Sequence, residues 1–523
     1  MNSAKSVVNF PLTQSSSTTS ERYAGANPVF VLQDNPVKNK TALNPARRRA
    51  AMRISVYEAF PAQVYATLTG GVFMPAFALV LGANNFYIGV LAAIPFFANL
   101  FQLAGAYFVE NYPWRKKLCI VASSIPRLAW VPAIILFLLL VPQSAGTTLG
   151  IFLAFLILGH ALLAISGVAW LSWMTDVVPE NIRGRYFGLR NSVVSIATVI
   201  TTFAGGWFLD LHQGSRTAFG ILFLIAAAAG AACMMLLIKQ PELPKRLLPP
   251  SERFFQHYLE PFKQPNFRRL LRFSIVWQFA FNIASPFFVV YMLTELGMSY
   301  SLAATFAVVT ALFDLIGMRV WGHVSDHIGN KPVITISAAA VTILPWLWLA
   351  TEKNGFSFYW LIPLLHIAGG FFWAGYNLCS ANILFRLSPQ SRNSVYFGAW
   401  AACNGLAACI SSLLGGALGR WAAHHHLDFV LFSWSGLKIV FFVTGALRLI
   451  AIFLLRPVKE PAGMRTLHAI RVLRSVKSWA LMMGDHPALQ FFIPEHDSPK
   501  TASKNAKDEM LWPLFGRRGK NAA

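Results

Sequence analysis

A short polar stretch, GHVSDHIGNKP at residues 322–332, lies between two long apolar segments of the chain. It holds one acid, Asp326, and one base, Lys331, together with the glycines Gly322 and Gly329. Glycine lets helices approach closely and lets the chain turn, and a carboxylate is stabilised beside the free N–H groups at the start of another helix. These residue types predict a docking contact that forms and releases, because such a contact contributes only about 0.3–1 kcal/mol, or up to about 2 kcal/mol when partly buried.

A second stretch, GAYFVENYPWRKK at residues 105–117, has the same chemistry between two earlier apolar segments. Glu110 supplies the acid and Arg115 the base, five residues apart, as are Asp326 and Lys331. We expect both stretches to gate access to the protein interior; the alternative is a solvated turn that only sets the topology. The predicted gating residues are Gly105, Glu110, Arg115, Gly322, Asp326, Gly329 and Lys331.

Three more charged residues lie inside apolar segments, where an ionisable side chain is costly and is usually paired. Arg127 lies near the middle of one segment, Arg190 one turn into another, and Asp314 about two turns from the end of a third. We expect these groups to form a structural pair or to take part in coupling. Arg448, in the last apolar segment, is expected to lie at the periphery.

The composition indicates which elements must position these groups. The chain has 523 residues, of which 55% are hydrophobic and 12% charged, whereas soluble domains carry about 25% charged residues. Apolar runs of about 20 residues match the length of a membrane-spanning helix, and their continuous pattern favours helices over a β-barrel. The net charge of +23 lies in tails and loops, so it indicates topology and contact with anionic lipid headgroups rather than with nucleic acid.

The apolar runs predict twelve transmembrane helices. Their predicted positions are residues 56–81, 86–109, 118–141, 148–173, 186–209, 216–239, 270–296, 300–321, 332–351, 357–385, 395–420 and 436–455. Arginine and lysine cluster in the first tail and in alternate loops, which predicts that both termini are cytoplasmic and that the protein lies in the inner (plasma) membrane.

These positions divide the chain into five predicted regions. The regions are a mostly disordered cytoplasmic tail at 1–55, a first six-helix bundle at 56–239, a cytoplasmic linker with an amphipathic segment at 240–269, a second six-helix bundle at 270–455, and a basic cytoplasmic tail at 456–523.

The two halves of the chain repeat one another at a fixed spacing. The tripeptide YFG at 186–188 reappears at 396–398, and the pair GG at 205–206 reappears at 415–416, each 210 residues later. Matches at one offset indicate a duplicated six-helix unit. Such a parallel repeat is the architecture of a two-lobed transporter.

On the span number, the repeat and the two polar stretches, residues 56–455 resemble the major facilitator superfamily. Members of that family carry a G-x-x-x-D-x-x-G-R/K loop between the second and third spans and a weaker copy between the eighth and ninth. Here the second copy is the better match, whereas the first has Glu110 for Asp and one extra residue after Gly105. The resemblance implies an all-α membrane protein with twelve transmembrane helices in two pseudo-symmetric six-helix bundles.

The same resemblance implies how the charged residues meet. We expect Asp326 to dock near the start of the fifth span and Glu110 near the start of the eleventh, so that both contacts hold the cytoplasmic side shut. The family also places the fifth span against the eighth, which would allow an Arg190–Asp314 pair, either structural or sensitive to protons.

In this family the first, fourth, seventh and tenth spans line a central cavity, and polar residues with helical spacing occur in all four. Amides and histidines bind hydroxyl or amide groups, and tryptophan can stack on a flat or sugar-like face. The predicted substrate-binding residues are Gln63, Thr67, His160, Trp277, Gln278, Asn282, His366, Trp373 and Asn377. Interhelical hydrogen bonds are the alternative role for any one of them.

These expectations favour a secondary active or facilitative transporter of a small organic solute that works by alternating access. The chain lacks a P-loop, and we expect no enzyme activity, no metal and no cofactor. Protons would be coupled through Asp314, His160 or His366, and uniport is equally compatible. The alternatives are a drug-type proton antiporter and a non-transporting relative that handles a lipid or pigment or assists assembly. We expect a monomer.

Overall fold

The computed structural model describes residues 45–140, 145–179, 182–242, 259–389, 393–428 and 433–460. Within those residues, twelve helices are long and apolar enough to cross a membrane, and we number them α1 to α12. They are α1 (Pro45–Val80), α2 (Asn85–Asn111), α3 (Arg115–Ile134), α4 (Gly146–Val177), α5 (Arg183–Leu211), α6 (Arg216–Lys239), α7 (Pro265–Thr294), α8 (Tyr300–Ile328), α9 (Asn330–Ala350), α10 (Ser357–Leu387), α11 (Val395–Ala422) and α12 (Leu437–Leu455). The predicted amphipathic segment and C-terminal tail lie largely or wholly outside the described residues.

Several spans are interrupted. The helical pieces are Pro45–Leu68 and Phe73–Val80 in α1, Asn85–Ala98 and Phe101–Asn111 in α2, Arg115–Leu128 and Trp130–Leu140 at α3, and Pro265–Asn282 and Phe287–Thr294 in α7. The break in α1 contains Gly71 at a φ of 48°, a conformation that glycine adopts without steric cost. In α7, Pro286 precedes the second piece and cannot donate a helical hydrogen bond. Both breaks therefore follow from the residues that occupy them.

Further short elements complete the described chain. A single 3₁₀ turn at Pro261–Lys263 precedes α7, a second at Trp348–Ala350 ends α9, and a π-helical turn at Ser357–Leu361 begins α10. Between α11 and α12, strand β1 (His426–Asp428) pairs antiparallel with β2 (Ser433–Ser435). The bundle is otherwise helical, as predicted.

The first helix begins at Pro45 rather than at the predicted residue 56. Proline is favoured at the first helical position because it has no N–H to satisfy there. The arginines of the first turn, Arg47 and Arg49, are exposed and can extend their charged ends toward lipid headgroups.

The spans define two faces of the membrane slab. We call the face where α1 begins and α12 ends the terminal face, and the opposite one, with the β1–β2 hairpin, the distal face. Exposed aromatic residues flank both faces, as expected where a protein meets the membrane–water interface. They include Tyr107, Tyr112 and Trp114 near the terminal face and Phe356, Tyr359 and Trp360 near the distal face.

The spans form two lobes, α1–α6 and α7–α12, that repeat the same contacts. In the first lobe Glu242 accepts from the Lys116 N–H at the start of α3 (3.3 Å), and Lys116 Nζ donates to two carbonyls at the end of α6 (2.8 and 2.9 Å). In the second, Glu460 accepts from the Lys331 N–H at the start of α9 (2.7 Å), and Lys331 Nζ donates to two carbonyls at the end of α12 (2.7 and 2.8 Å). The duplication seen in the sequence is therefore present in the structure.

The lobes pack on one another along α2 with α11 and α5 with α8. Glycines permit these crossings. A Cβ built on Gly89 would lie 2.5 Å from Gly416 Cα, and one built on Gly206 would lie 2.8 Å from Ala304 Cβ. All four residues belong to the distal halves of their helices, so the closest approach of the lobes lies near the distal face.

Hydrogen bonds join the lobes at the same face. Asp210, near the end of α5, accepts from the Tyr300 N–H (2.7 Å) and the Ser301 N–H (2.9 Å) at the start of α8. Asn85, at the start of α2, donates to the Gly419 carbonyl of α11 (3.0 Å). Asp210 thus satisfies free N–H groups at a helix start and lies at its positive end.

Candidate functional site

The bases of the predicted gating stretches bind within their own lobes. Arg115 is 1% exposed, forms an ion pair with Asp176 at the end of α4, and contacts Glu242 (3.2 Å). Lys331 holds the end of α12, as described above. The structure therefore places both bases in contacts that fix helix ends inside one lobe.

The glycines of these stretches have local roles. A Cβ built on Gly105 would lie 3.1 Å from Ile165 Cα of α4, so glycine allows α2 and α4 to pack closely. Gly329, between α8 and α9, has a φ of 91°, which an L-residue with a side chain rarely adopts. Gly322 has more room, since its nearest neighbour would be Leu378 at 3.5 Å.

The acids Glu110 and Asp326 are exposed on the terminal face. Within the described residues, neither forms the expected contact with the start of α11 or α5. The acid that does bind a helix start of the other lobe is Asp210, on the distal face. The expected contact between a carboxylate and a helix start of the other lobe is thus present at the distal face. The predicted contacts at the terminal face stay a prediction for another conformation.

The Arg190–Asp314 pair is not formed in the described conformation. Arg190 Nη2 lies 3.1 Å from Glu58 Oε2 of α1, in its own lobe, and its guanidinium lies 4.3 Å from the Trp170 ring centroid. Cys233 Sγ of α6 donates to the other Glu58 oxygen (3.1 Å). Glu58 is 3% exposed and was not among the predicted residues. It lies near the start of the first predicted span, and that position gave no sign of burial.

The Asp314 backbone instead lies where α8 packs on α10. Thr310, one turn earlier on α8, lies 2.7 Å from His366 Nδ1 of α10, and a Cβ built on Gly370 would lie 3.0 Å from the Asp314 N. Asp314 Oδ1 and His366 Nε2 are both buried and lack a hydrogen-bond partner within the described residues. Two titratable groups with a free polar atom each therefore lie along one helix contact.

The expectation for Arg448 is wrong. This side chain is 2% exposed, donates to the Val341 carbonyl of α9 (3.0 Å), and lies 5.1 Å from the Phe281 ring centroid of α7. Residues of α7 and α9 surround the Arg448 side chain on α12. The position of Arg448 along its own helix could not reveal this burial.

Predicted binding residues of α7 and α10 form a stacked aromatic wall. Trp373 stacks on Phe281 (ring centroids 4.3 Å apart) and on Tyr376 (5.1 Å), and Tyr376 stacks on Trp277 (5.0 Å). Trp277 is 0% exposed, so it supports Trp373 from behind and has no face open to a solute. Asn377, next to this wall, is exposed.

The amides of the four cavity helices are only partly available. Asn282 is buried and donates to the Gln278 carbonyl one turn earlier (2.8 Å). Gln63 donates to Thr67 Oγ1 (3.2 Å) in α1. These bonds fit the alternative of local structural roles, while Gln278 and Gln63 stay partly exposed.

A cavity of about 210 Å³ opens between α1, α3 and α4 of the first lobe. It is lined by Arg127 and His160, which were predicted, and by Tyr65, Thr69 and Trp130, which were not. The further lining residues are Ala62, Ala66, Gly70, Pro126, Phe155, Leu156, Gly159 and Leu163. An aromatic residue within an apolar run gives no signal of a cavity, and only the packing of α1 on α3 brings Tyr65 to it.

Neighbouring helices position Arg127. A Cβ built on Gly230 of α6 would lie 2.8 Å from Arg127 Cβ, so glycine makes room for the arginine stem. The guanidinium lies 5.5 Å from the Tyr65 ring centroid. In the second lobe Pro345 corresponds to Pro126, and the next residue, Trp346, packs on Gly445 of α12 in the same way.

Comparisons with known proteins agree with this architecture. A sequence profile of the Major Facilitator Superfamily matches residues 59–412 and again 278–494. Tetracycline resistance protein, class H, of Pasteurella multocida is 28% identical over 152 residues, 28% of this chain and 36% of that protein. Multidrug resistance protein MdtG of Salmonella arizonae is 26% identical over 215 residues, 39% of this chain and 48% of that protein. The chain thus spans about a third to a half of the length of these relatives.

A solved structure shares the fold over most of the chain. The D-xylose-proton symporter superposes with a TM-score of 0.61 at 15% identity, covering 79% of this chain and 98% of that one. Since the family profile covers more than half of the sequence and the structure has twelve spans in two six-helix lobes, this multi-pass membrane protein belongs to the Major Facilitator Superfamily.

Proposed function

We propose that the protein is a secondary transporter that moves a small organic solute by alternating access. The observation that carries this proposal is the one-sided contact between lobes: α2 packs on α11 and α5 on α8 through glycines and hydrogen bonds near the distal face. Two similar lobes joined at one face can rock about that contact. The exposed acids of the terminal face, Glu110 and Asp326, are then free to dock when the lobes close there.

We assign the terminal face to the cytoplasm, in a plasma membrane, because the basic loops lie on that side. The described conformation is then inward-facing, with the distal face shut. Anionic lipid headgroups would contact the basic loops, and the lobes suffice for transport in a monomer. No enzymatic step, metal or cofactor is part of the proposal.

The solute would bind between the lobes. The first lobe contributes Gln63 and His160, and the second contributes Gln278, Trp373 and Asn377. Asp314 and His366 are the groups that would carry a coupled proton, because each is titratable and has a buried polar atom without a hydrogen-bond partner among the described residues.

A drug-type proton antiporter is the second candidate. Both curated relatives are resistance proteins by name, and the stacked wall of Phe281, Trp373 and Tyr376 would suit an aromatic drug. The likeness of fold to a D-xylose-proton symporter is equally compatible with uptake. The direction of transport therefore decides between the two.

Reconstitution in proteoliposomes tests the proposal. Labelled sugars, nucleosides, carboxylic acids and tetracycline would be offered with and without an imposed proton gradient. We expect saturable uptake or efflux of one class; the absence of protein-dependent flux for all of them would contradict the proposal. Asn377→Ala should weaken that flux, whereas Asn354→Ala, in the α9–α10 connection, should not.

Labelling of single cysteines tests the conformational part without knowledge of the solute. In a background with the five native cysteines replaced, Asn377→Cys should react with a membrane-impermeant maleimide from the terminal side. Ser412→Cys, whose native side chain is 0% exposed on α11 beside Gly89, should resist it from the distal side. Equal reactivity of both positions from both sides would contradict alternating access.

A further inference from the structure

Arg127 is a charged group at membrane depth whose partner is absent from the described protein. Its nearest hydrogen bond is a long one, 3.5 Å, from Nη1 to the Ser123 carbonyl of its own helix, and its Nε is buried without a partner. Ionisable groups at this depth are usually paired with an opposite charge. Arg190, by contrast, has Glu58 at 3.1 Å, and Arg448 donates to the Val341 carbonyl at 3.0 Å.

The cavity beside Arg127 contains nothing that could serve as that partner. None of the described residues that line it carries a carboxylate. Glu58, the acid of the same lobe that lies at membrane depth, is already bound by Arg190 and Cys233. Gly230 makes room for the stem of Arg127, the Tyr65 ring lies beside its guanidinium, and the side chain lines the cavity.

Hydrogen bonds among the other lining residues fix the surroundings of the guanidinium. Trp130 Nε1 donates to Tyr65 Oη (3.2 Å), which fixes the ring under the guanidinium. His160 Nδ1 lies 2.9 Å from the Leu156 carbonyl; a carbonyl only accepts, so this nitrogen carries the proton. Nε2 then accepts in the neutral ring and donates to an anion only when the ring is protonated. Guanidinium forms paired hydrogen bonds with planar carboxylates and with phosphates.

We propose that the cavity between α1, α3 and α4 binds the anionic group of the transported solute, so that the substrate is a small organic anion with a carboxylate or a similar oxyanion. This proposal narrows the function proposed above to one class of solute. It rests on that function because it requires that the bound anion is also transported. A carboxylate differs from the hydroxyl or amide groups that the amide and histidine residues alone predict as ligands. The cavity, about 210 Å³, is smaller than typical ligand pockets of about 300–1,000 Å³. It therefore holds the charged group and its nearest carbons, and the rest of the solute extends beyond it.

Equilibrium binding to the purified full-length protein tests this proposal separately from transport. Matched pairs that differ only in charge would be titrated at constant ionic strength: acetate with acetamide, lactate with lactamide, and benzoate with benzamide. Isothermal calorimetry gives the affinity and thermal unfolding gives an independent shift. We expect at least one carboxylate to bind tenfold or more tightly than its amide.

Variants connect the binding to Arg127. Arg127→Gln should weaken the carboxylate at least tenfold, and Arg127→Lys should retain part of the affinity because it keeps the charge. Gly230→Ala keeps the arginine but displaces its stem, so it should also weaken binding. Gly220→Ala, on the same helix with its nearest neighbour at 3.4 Å, is the matched control and should bind normally. Size-exclusion chromatography would confirm that each variant is folded.

Two further titrations identify the source of the anion. Sodium chloride alone distinguishes a halide from an oxyanion, and added phosphatidylglycerol distinguishes a lipid headgroup from a free solute. Saturation by either one, with no added effect of a carboxylate, would overturn the proposal. So would equal affinity for acid and amide, unchanged affinity in Arg127→Gln, or no binding of any carboxylate. Transport without a preference for anions would overturn this inference alone. Anion binding without transport would overturn the proposed function, and the cavity would then be an anion site whose ligand is not a substrate.

Discussion

At the scale of single residues, the buried and half-buried arginines of this protein have different partners, and Arg448 keeps two buried nitrogens without a partner among the described residues. Arg115 binds two carboxylates, Arg190 binds one and lies against an indole ring, and Arg448 has a carbonyl and a phenyl ring. Removing one member of a buried ion pair is expensive because the other charge stays buried. The arginines with a carboxylate partner should therefore respond most strongly when that partner is neutralised.

The Glu58–Arg190 pair gives the first prediction. Glu58→Gln should lower the free energy of unfolding by about 3–5 kcal/mol, because Arg190 then stays mostly buried without an opposite charge. Denaturation of the purified protein in detergent measures this. Glu352→Gln, an exposed position on the distal face, should change stability by less than about 0.5 kcal/mol. A double variant with Arg190→Met should recover part of the loss, and equal effects of the two glutamine variants would contradict the prediction.

The free polar atoms of Asp314 and His366 give the second prediction. Asp314→Asn cannot take up a proton, so solute accumulation driven by a proton gradient should be lost. Exchange of labelled for unlabelled solute, which needs no net proton movement, should continue at a similar rate. Flux assays in proteoliposomes with and without the gradient measure both. Gradient-driven accumulation that survives in the variant would remove Asp314 from the coupling step.

At the scale of helices, glycines decide which spans can touch. Gly89 and Gly416 bring α2 and α11 into backbone contact, and Gly206 brings α5 onto the start of α8. Small residues at such crossings let membrane helices gain packing contacts that bulkier side chains would prevent. The crossings therefore fix the closed distal face, and filling them should open it.

Gly89→Leu is the third prediction. Its Cβ alone would lie 2.5 Å from Gly416 Cα and from the Ser412 carbonyl, so the distal halves of α2 and α11 must separate. Maleimide labelling of Ser412→Cys from the distal side should rise tenfold or more, and transport should fall. Gly150→Leu, with nothing within 4 Å of its built Cβ, serves as the control and should leave both unchanged. Low labelling in Gly89→Leu would show that the crossing does not hold the face shut.

At the scale of the whole molecule, acids occur near both faces, and among the described residues the acid that binds a helix start of the other lobe lies at the distal face. Asp210 binds the start of α8 across the lobes, whereas Asp326, near the opposite end of α8, is exposed. Each such contact is weak enough to be exchanged during a transport cycle. The balance between the two conformations should therefore respond to the acid of the engaged face.

Asp210→Ala is the fourth prediction. Losing a side chain that accepts from the first N–H groups of a helix costs roughly 1 kcal/mol, which corresponds to about a fivefold shift of population toward the distal-open conformation. The same distal labelling of Ser412→Cys measures the shift. Glu352→Ala on that face should have no effect. An unchanged labelling rate would show that Asp210 stabilises α8 without influencing the gate.

Much of the fold follows from the sequence, because a membrane span is a local property. Twelve apolar runs and a repeat at a 210-residue spacing predict the helices and the two lobes, and the structure and family profile confirm both. The partners of Arg190 and Arg448 could not be predicted, since they depend on which helices of one lobe are neighbours. The engaged face could not be predicted either, because the same residues must serve both conformations. The site residues themselves stay predictions.

The notch formed after Pro126 and after Pro345 occurs once in each lobe, on Gly230 and on Gly445. In the first lobe the glycine makes room for the stem of an arginine, and in the second it makes room for an indole ring. The helix packing at this position therefore accepts either an arginine or a tryptophan. Codons for these two residues can differ by one nucleotide. A single substitution after this proline could therefore add or remove the group that binds an anionic solute, while the packing of the helices stays the same.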